Sequence, residues 1–495
     1  VSRPAVVIGA GADELVCAHR LARAGWRVVV LAGRAGERDG ASDPGWVDPA
    51  LLAEPGLEAR GLRMRHPDPW AAVPLAGGGR LELSTDMICT VEAIRRVSPR
   101  DAQIWPRFCE RMAHLARLLE TIYCAPPPDP VGRGLRELGG LAALAWRLRR
   151  LGREGIEDLL RLVALPVADW LDDWFEHDAL KGALGAGGIL HLRQGPRAGG
   201  TAFLLLHHHV GGPPGVFRPP LSNLRGVLAA LPGIEMRRGV EVTRIRVRAG
   251  GVTGVVTAEG EEIAATAVVS GADPKRTLLE LLEPGWLDPE LARAARHIRA
   301  RGVVAQVTLA LERAPASPTL TIAPSLDHLE RAHEDAKYGR LSRAPFLEAL
   351  GAGAAADGRH RVQVHAQYAP YALAGGEWDA ARRAALGELV VKTLGQYAAE
   401  YRSARVERVL APPDLEREEG WPEGQRYHAE PALDQMLWMR PLPGWARCRT
   451  PVAGLYLCGP GTHPAGAVAG ASGRNAAREI LRDLRRGARL RRDSI

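Results

Sequence analysis

The sequence predicts an α/β fold around a dinucleotide-binding domain, and three features predict it. A strand, a glycine turn, a helix and a second strand follow one another within about the first thirty residues. A short buried strand with a glycine stop recurs near the other end. Between the two lie long helical stretches followed by further strands, so the nucleotide domain is completed by distant pieces of chain.

In order along the chain, Ala5-Val6-Val7-Ile8 is an apolar run that ends in Gly9-Ala10-Gly11. Residues Glu14 to Ala24 place Leu15, Ala18, Leu21 and Ala22 at helical spacing, and Arg27-Val28-Val29-Val30-Leu31 is a second apolar run. Parallel strands buried on both faces read as near-continuous apolar runs, and both runs fit. From about Ser98 to Leu231 the pattern is helical, with stretches such as Leu141–Leu151 and Leu159–Leu171, interrupted by the Pro-rich Ala125–Pro130. This region reads as a helical insertion or cap. Strands return at Val240–Val247, Gly254–Ala258 and Ala267–Ser270, the last predicted to rejoin the first sheet. A mixed region from about Gly302 to Pro413 holds strands Val303–Leu311 and His360–Gln367, and Gly454-Leu455-Tyr456-Leu457-Cys458-Gly459 is a last buried strand before a helix from about Gly473 to Arg486. The expected division is one discontinuous nucleotide domain (1–97, 220–300 and 450–495) and a substrate and cap domain (98–219 and 301–449).

A chain of 495 residues with 46% hydrophobic and 25% charged residues has the profile of an ordinary soluble globular protein, which excludes disordered, collagen-like and small disulfide-rich classes. The net charge of +8 comes almost wholly from arginine, since Lys181, Lys275, Lys337 and Lys392 are the only lysines. Such a bias is compositional, so no nucleic-acid partner is expected. Cys17, Cys89, Cys109, Cys124, Cys448 and Cys458 are far apart and contain no C-x-x-C pair, which argues against a redox disulfide and against structural zinc. No stretch of about 18 apolar residues is present. The expectation is a cytoplasmic protein, at most peripheral to a membrane.

The first glycine of Gly9-Ala10-Gly11 allows a tight turn, and the second lets backbone approach a pyrophosphate at a helix N-terminus. Joined to the block Gly454-Leu-Tyr-Leu-Cys-Gly-Pro-Gly-Thr-His-Pro-Ala-Gly-Ala-Val-Ala-Gly-Ala-Ser-Gly-Arg-Asn-Ala-Ala477, this resembles the phytoene desaturase-like FAD oxidoreductases, most of all the branch called pyridine nucleotide-disulfide oxidoreductase domain-containing protein 2. Matches run over nearly the whole chain: Leu83-Ser-Thr-Asp-Met87, Asp101-Ala-Gln-Ile-Trp-Pro106, Leu206-His-His-His-Val-Gly-Gly212, Gln367-Tyr-Ala-Pro-Tyr-Ala-Leu-Ala-Gly-Gly376 and Met439-Arg-Pro441. The resemblance implies an FAD-binding Rossmann-type (glutathione reductase-like) domain with an inserted α+β substrate domain. It implies that Gly9 and Gly11 approach the diphosphate, that Val242 meets the adenine through its main chain, and that Gly459, Gly461, His463, Gly466, Val468 and Gly470 lie near the flavin ring. The glycines of that block would let main chain lie against a flat ring. The "disulfide" of the branch name has no cysteine pair to carry it.

Four elements depart from the pattern. Glu14 replaces the third glycine of G-x-G-x-x-G, with Asp13 beside it; Ala32 stands where an acid would accept from the adenosine ribose; Asp39-Gly40-Ala41 has lost one glycine of a pair; and Pro220-Leu-Ser-Asn-Leu-Arg225 replaces a Gly-Gly-Met turn. A helix N-terminus favours carboxylates, but they compete there with a ligand's phosphates. A carboxylate about 4 Å from a phosphate costs roughly 4 kcal/mol at an effective dielectric of about 20, near a thousandfold in affinity.

Two functions follow from the resemblance and its failures. One is an FAD-dependent oxidoreductase that takes a hydride from a C–C or C–N bond of an apolar or lipidic small molecule. The other is a flavin-free or weakly flavin-binding relative that uses the fold as a binding or assembly subunit, as a homo-oligomer or with a competent paralogue. Candidate catalytic residues are His463, inside the glycine block, and Tyr368, after the strand His360–Gln367; Tyr371 shares that position and Asp434, Trp438 and Arg440 form a candidate cover for the ring. His207-His208-His209, read as a strand, alternate faces and do not converge on a metal, so no metal site is expected. The stretch Leu135–Arg153 reads as a basic amphipathic helix suited to the cap or to a membrane surface.

Overall fold

The computed structural model describes residues 3–33, 43–54, 56–132, 134–355, 357–466 and 468–492. The Asp39-Gly40-Ala41 segment lies outside them. Ten strands make the two main sheets: β1 (Ala5–Ile8), β2 (Val28–Ala32), β3 (Glu235–Arg238), β4 (Ala267–Ser270), β5 (Val304–Leu311), β6 (Thr319–Ile322), β7 (Phe346–Ala354), β8 (His360–Gln367), β9 (Arg405–Leu410) and β10 (Leu455–Leu457). Five helices matter for the site: α1 (Ala12–Arg23), α2 (Pro99–Tyr123), α3 (Leu135–Arg150), α4 (Thr201–His209) and α5 (Ala471–Arg492).

The first sheet is parallel, in the order β10-β4-β1-β2-β3, with Val7 opposite Val30 on one side and Val269 on the other. Every residue of β1, β2 and β4 is buried, as expected of strands covered on both faces. Helix α1 packs one face through Leu15, Cys17, Ala18 and Leu21 against Ala476, Ala477 and Ile480 of α5. Its N-terminal turn meets that of α5 so closely that Gly473 admits no side chain: a Cβ there would collide with the Asp13 carbonyl. The strand ends of β1, β4 and β10 therefore point their glycines, Gly9, Gly271 and Gly459, into one small region between two helix N-termini.

The second sheet is antiparallel between all its neighbours, in the order β6-β7-β8-β5-β9. Its core packs against Leu386, Val390 and Leu394 of a long helix. Helix α2 starts at Ser98, whose hydroxyl accepts from the Asp101 amide at 3.0 Å, and Pro99 follows as its first residue. Its inner face carries Trp105 and Phe108, which meet Phe175 and Phe217 at ring separations of 4.9 to 6.0 Å. Burying side chains of this size contributes roughly 1.5–3 kcal/mol for each.

The structure corrects one element. The three histidines end helix α4, not a strand, and all three are buried. At about 100° per residue their rings fan around the helix. His207 meets the Tyr123 hydroxyl at 2.7 Å, His208 the Gly187 carbonyl at 2.7 Å and His209 the Val216 carbonyl at 2.9 Å, each through Nδ1.

Candidate active site

Gly9 has φ of +102°, a backbone that favours glycine, and this bends the chain so that Gly11 caps α1. Glu14, in the first turn of α1, folds back over this loop. A Cβ built on Gly11 or on Gly271 would fall against the Glu14 carboxyl; one on Gly459 would lie 2.5 Å from Oε1, and one on Gly9 3.4 Å from Cγ. The Glu14 side chain thus fills the space enclosed by the glycine ends of β1, β4 and β10. Burial, and then the neighbouring Asp13, push its pKa up to about 8, against the smaller opposing effect of the Glu14 and Gly11 amides. At neutral pH the group is a protonated carboxylic acid packed on glycine backbone.

Asp13 serves the other helix. Its carboxylate accepts from the Gly473 amide at 3.3 Å and faces the amides of Gly470 and Ser472, so it caps the start of α5. Burial outweighs those amides and raises its pKa to about 6.

The family's FAD can be tested against these residues. On the adenosine side Ala32 is buried and offers no acceptor beyond its carbonyl, which the Val240 amide takes at 3.0 Å. Val242 opens the next strand and packs with Ile8 and Leu31. Asn223, in the segment that replaces the glycine pair, accepts from the Arg63 amide at 2.8 Å and donates to the Gly61 carbonyl at 3.0 Å, so it is spent on holding a loop. With Glu14 in the diphosphate position, the adenosine–diphosphate half of FAD does not fit the residues present.

The turn that the resemblance would place beside the flavin ring is built differently. Gly459, Gly466 and Gly470 all have positive φ, and the turn is tightly packed: a Cβ on Gly466 would lie 2.8 Å from the Tyr427 ring, one on Gly461 2.6 Å from Pro274, and one on Gly470 would strike Leu51. Val468 pairs with Trp46 in a short parallel ladder. Behind this turn Arg440 is fully buried, its guanidinium donating to the carbonyls of Tyr427, Ala429, Glu430, Gln435 and Pro460. Desolvation lowers its pKa to about 9. Arg440 is therefore a clamp on the Pro460 turn, and Asp434 pairs with Arg299 at 2.6 Å instead. Trp438 donates to the Pro128 carbonyl at 2.7 Å and so ties the same loop to the cap.

His463 lies inside the turn and on Tyr123, ring centroids 5.9 Å apart, with Nε2 on the Ile122 carbonyl at 3.0 Å. Burial lowers its pKa to about 4, so the ring is neutral and its Nδ1 is a buried acceptor with no hydrogen-bond partner. Tyr368 belongs to a separate cluster with Phe346 and Leu329, and its hydroxyl donates to the Gln194 carbonyl at 2.6 Å. Tyr371 donates to Glu416. The structure brings Gly9, Gly11 and Gly459 together around Glu14, gathers Gly461, Gly466 and His463 at the ring-side turn, and sets Tyr368 apart from both.

Between that turn and the second sheet lies a polar interior that no sequence motif marks. Arg218 and Glu348 form an ion pair that is nearly buried, with His208, His365 and Tyr427 around it. Desolvation lowers His208 and His365 to about 4 and raises Glu348. His428, beside Gly461, falls to about 3 for the same reason. These residues come from five separate segments, so only the fold assembles them. Among the described residues no group of His, Cys, Asp and Glu has the arrangement to hold a metal ion.

The chain is similar to known proteins over most of its length. The family model described as flavin containing amine oxidoreductase matches residues 51–481. Rat (Rattus norvegicus) pyridine nucleotide-disulfide oxidoreductase domain-containing protein 2 is 31% identical, over 97% of this chain and 94% of its own length. A limonene dehydrogenase subunit of Castellaniella defragrans is 26% identical over 97% of this chain and 94% of its own, and hydroxyneurosporene desaturase of Cereibacter sphaeroides is 27% identical over 97% of both. Among solved structures, putrescine oxidase shares the fold, with a TM-score of 0.60 over 98% of this chain and 99% of that one at 16% identity.

Proposed function

The chain belongs to the flavin containing amine oxidoreductase family, and on that premise we propose that it serves the oxidation of an apolar small molecule drawn from an anionic membrane surface. The observation that carries this reading is the outer face of α3. Helical spacing puts Leu135, Leu138, Ala142, Ala145 and Trp146 on one side, and Leu135 is 90%, Leu138 52% and Trp146 58% exposed. Arg147, Arg149 and Arg150 follow, the last stacked on Trp146 at 4.8 Å. Apolar side chains held outward beside arginines suit the boundary between acyl chains and anionic headgroups. No helix among the described residues is long and apolar enough to cross a membrane, so the contact proposed is peripheral. The six free cysteines suit a reducing, cytoplasmic setting. Two relatives bear the names of a limonene dehydrogenase subunit and a hydroxyneurosporene desaturase, which supports an apolar substrate class.

Titrating the purified chain with a cyclic terpene and with a polyene, and following tryptophan fluorescence, tests the substrate class without any need for turnover. Saturable binding of either is expected. Binding of alkyl amines with none of the apolar ligands sinks the reading.

Glu14 favours a second reading, in which the chain is the flavin-free subunit of an assembly with a flavin-competent paralogue. The limonene dehydrogenase relative is itself named as a subunit, which supports an assembly of that kind.

A further inference from the structure

We propose that Glu14 is the resident occupant of the diphosphate position, an intramolecular plug that keeps this chain free of FAD. A dinucleotide lies across a glycine turn because the turn has no side chains and its amides are exposed to the phosphates. Here the amides of Gly11 and Glu14 face the Glu14 carboxyl instead. The three strand ends that would flank a phosphate, Gly9, Gly271 and Gly459, all face the same side chain: a Cβ on Gly9 would lie 3.4 Å from it, and on Gly271 or Gly459 there is no room for a Cβ beside it.

The arrangement is built from both helices. Asp13 anchors the first turn of α1 to the start of α5 through Gly473, where no side chain fits. With α1 fixed in this way, Glu14 projects into the strand ends and is 4% exposed. Moving it aside would require a second place for a buried carboxyl, and the neighbouring walls are Asp13 and the thiol of Cys458. Neither offers a positive charge. The loss of the ribose acceptor at Ala32 agrees with a position that no longer receives the ligand's adenosine end.

The inference concerns the family's cofactor position and not the substrate class proposed above, so either can fail alone; with FAD excluded here, the two-electron oxidant for that substrate is the flavin of the competent paralogue in the second reading. ADP is the appropriate probe, because it carries a diphosphate and adenosine without the flavin ring. In calorimetric titration the wild-type chain is expected to bind ADP no better than at millimolar concentration, and Glu14→Gly to bind it at least a hundredfold more tightly. Glu14→Gln, which keeps the volume, is expected to stay as weak as wild type. Glu14→Ala, which keeps an ordinary helix-forming residue, guards against loss of folding and is expected to gain at least tenfold. In parallel, wild type with added FAD should emerge from a desalting column without flavin absorbance between about 350 and 500 nm, the region where oxidised flavins absorb. Stoichiometric flavin on the wild type overturns the proposal, and so does an unchanged ADP affinity in folded Glu14→Gly and Glu14→Ala.

Discussion

Glu14 and Asp13 make stability depend on pH in a direction opposite to that of ordinary paired carboxylates. Both pKa values are raised in the folded chain, from 4.5 to about 8 for Glu14 and from 3.8 to about 6 for Asp13, chiefly by burial. Folding therefore takes up protons. Their contribution is fully present below about pH 4 and is lost as pH rises, for Asp13 through about 6 and for Glu14 through about 8. At about 1.4 kcal/mol per pKa unit, the Glu14 part amounts to a few kcal/mol. The melting temperature should fall between pH 6 and pH 8.5 by several degrees, and Glu14→Gln should flatten that part of the curve, because an amide has no proton to lose. Calorimetric scans of the two proteins across that range check it; equal slopes would mean that Glu14 is ionised throughout. The sequence makes the two acids visible as intruders at a helix N-terminus. It does not show that one caps α5 while the other fills the strand ends, because Gly271, Gly459 and Gly473 are more than 250 residues away.

At the scale of elements, the parallel strands are legible in the sequence and the antiparallel sheet only in part, for a physical reason. β1, β2 and β4 are covered on both faces and so read as near-continuous apolar runs rich in Val. β7 leaves no such trace, since Glu348, Gly351 and Gly353 break its pattern and Glu348 is needed inside. Helix α4 reads as a strand because Ala202–Leu206 is a continuous apolar run, which periodicity cannot assign. Helix α3 is legible as a helix, but its inner row differs from its outer one: Leu141, Leu144 and Leu148 turn partly inward while Leu135, Leu138 and Trp146 stay in solvent. That division gives a prediction. Leu138→Asp with Trp146→Glu should change stability by less than about 1 kcal/mol, as expected for exposed positions. The same pair should abolish flotation of the chain with vesicles containing phosphatidylglycerol at low salt. Unchanged flotation would remove α3 from the membrane contact.

The whole molecule is held as one unit by pieces that are distant in sequence. The parallel sheet takes strands from both ends of the chain, and the antiparallel sheet lies between them in sequence, so the parallel sheet does not close until most of the chain is in place. Arg218 and Glu348 tie two distant segments of the substrate and cap region together at depth: Arg218 lies just before the loop that carries Asn223, and Glu348 lies in β7. The side chains are only 13% and 10% exposed, and burial raises the Glu348 pKa while Arg218 opposes it. Removing one member of such a pair strands the other, whereas replacing both with apolar residues removes the desolvation cost along with the attraction. Arg218→Met should therefore destabilise the chain by about 3–5 kcal/mol, and Arg218→Met with Glu348→Leu by far less. Urea unfolding monitored by tryptophan fluorescence and by circular dichroism reads both values. A single variant as stable as wild type would show that water reaches Glu348, and the polar interior would then be an open vestibule and not a sealed joint.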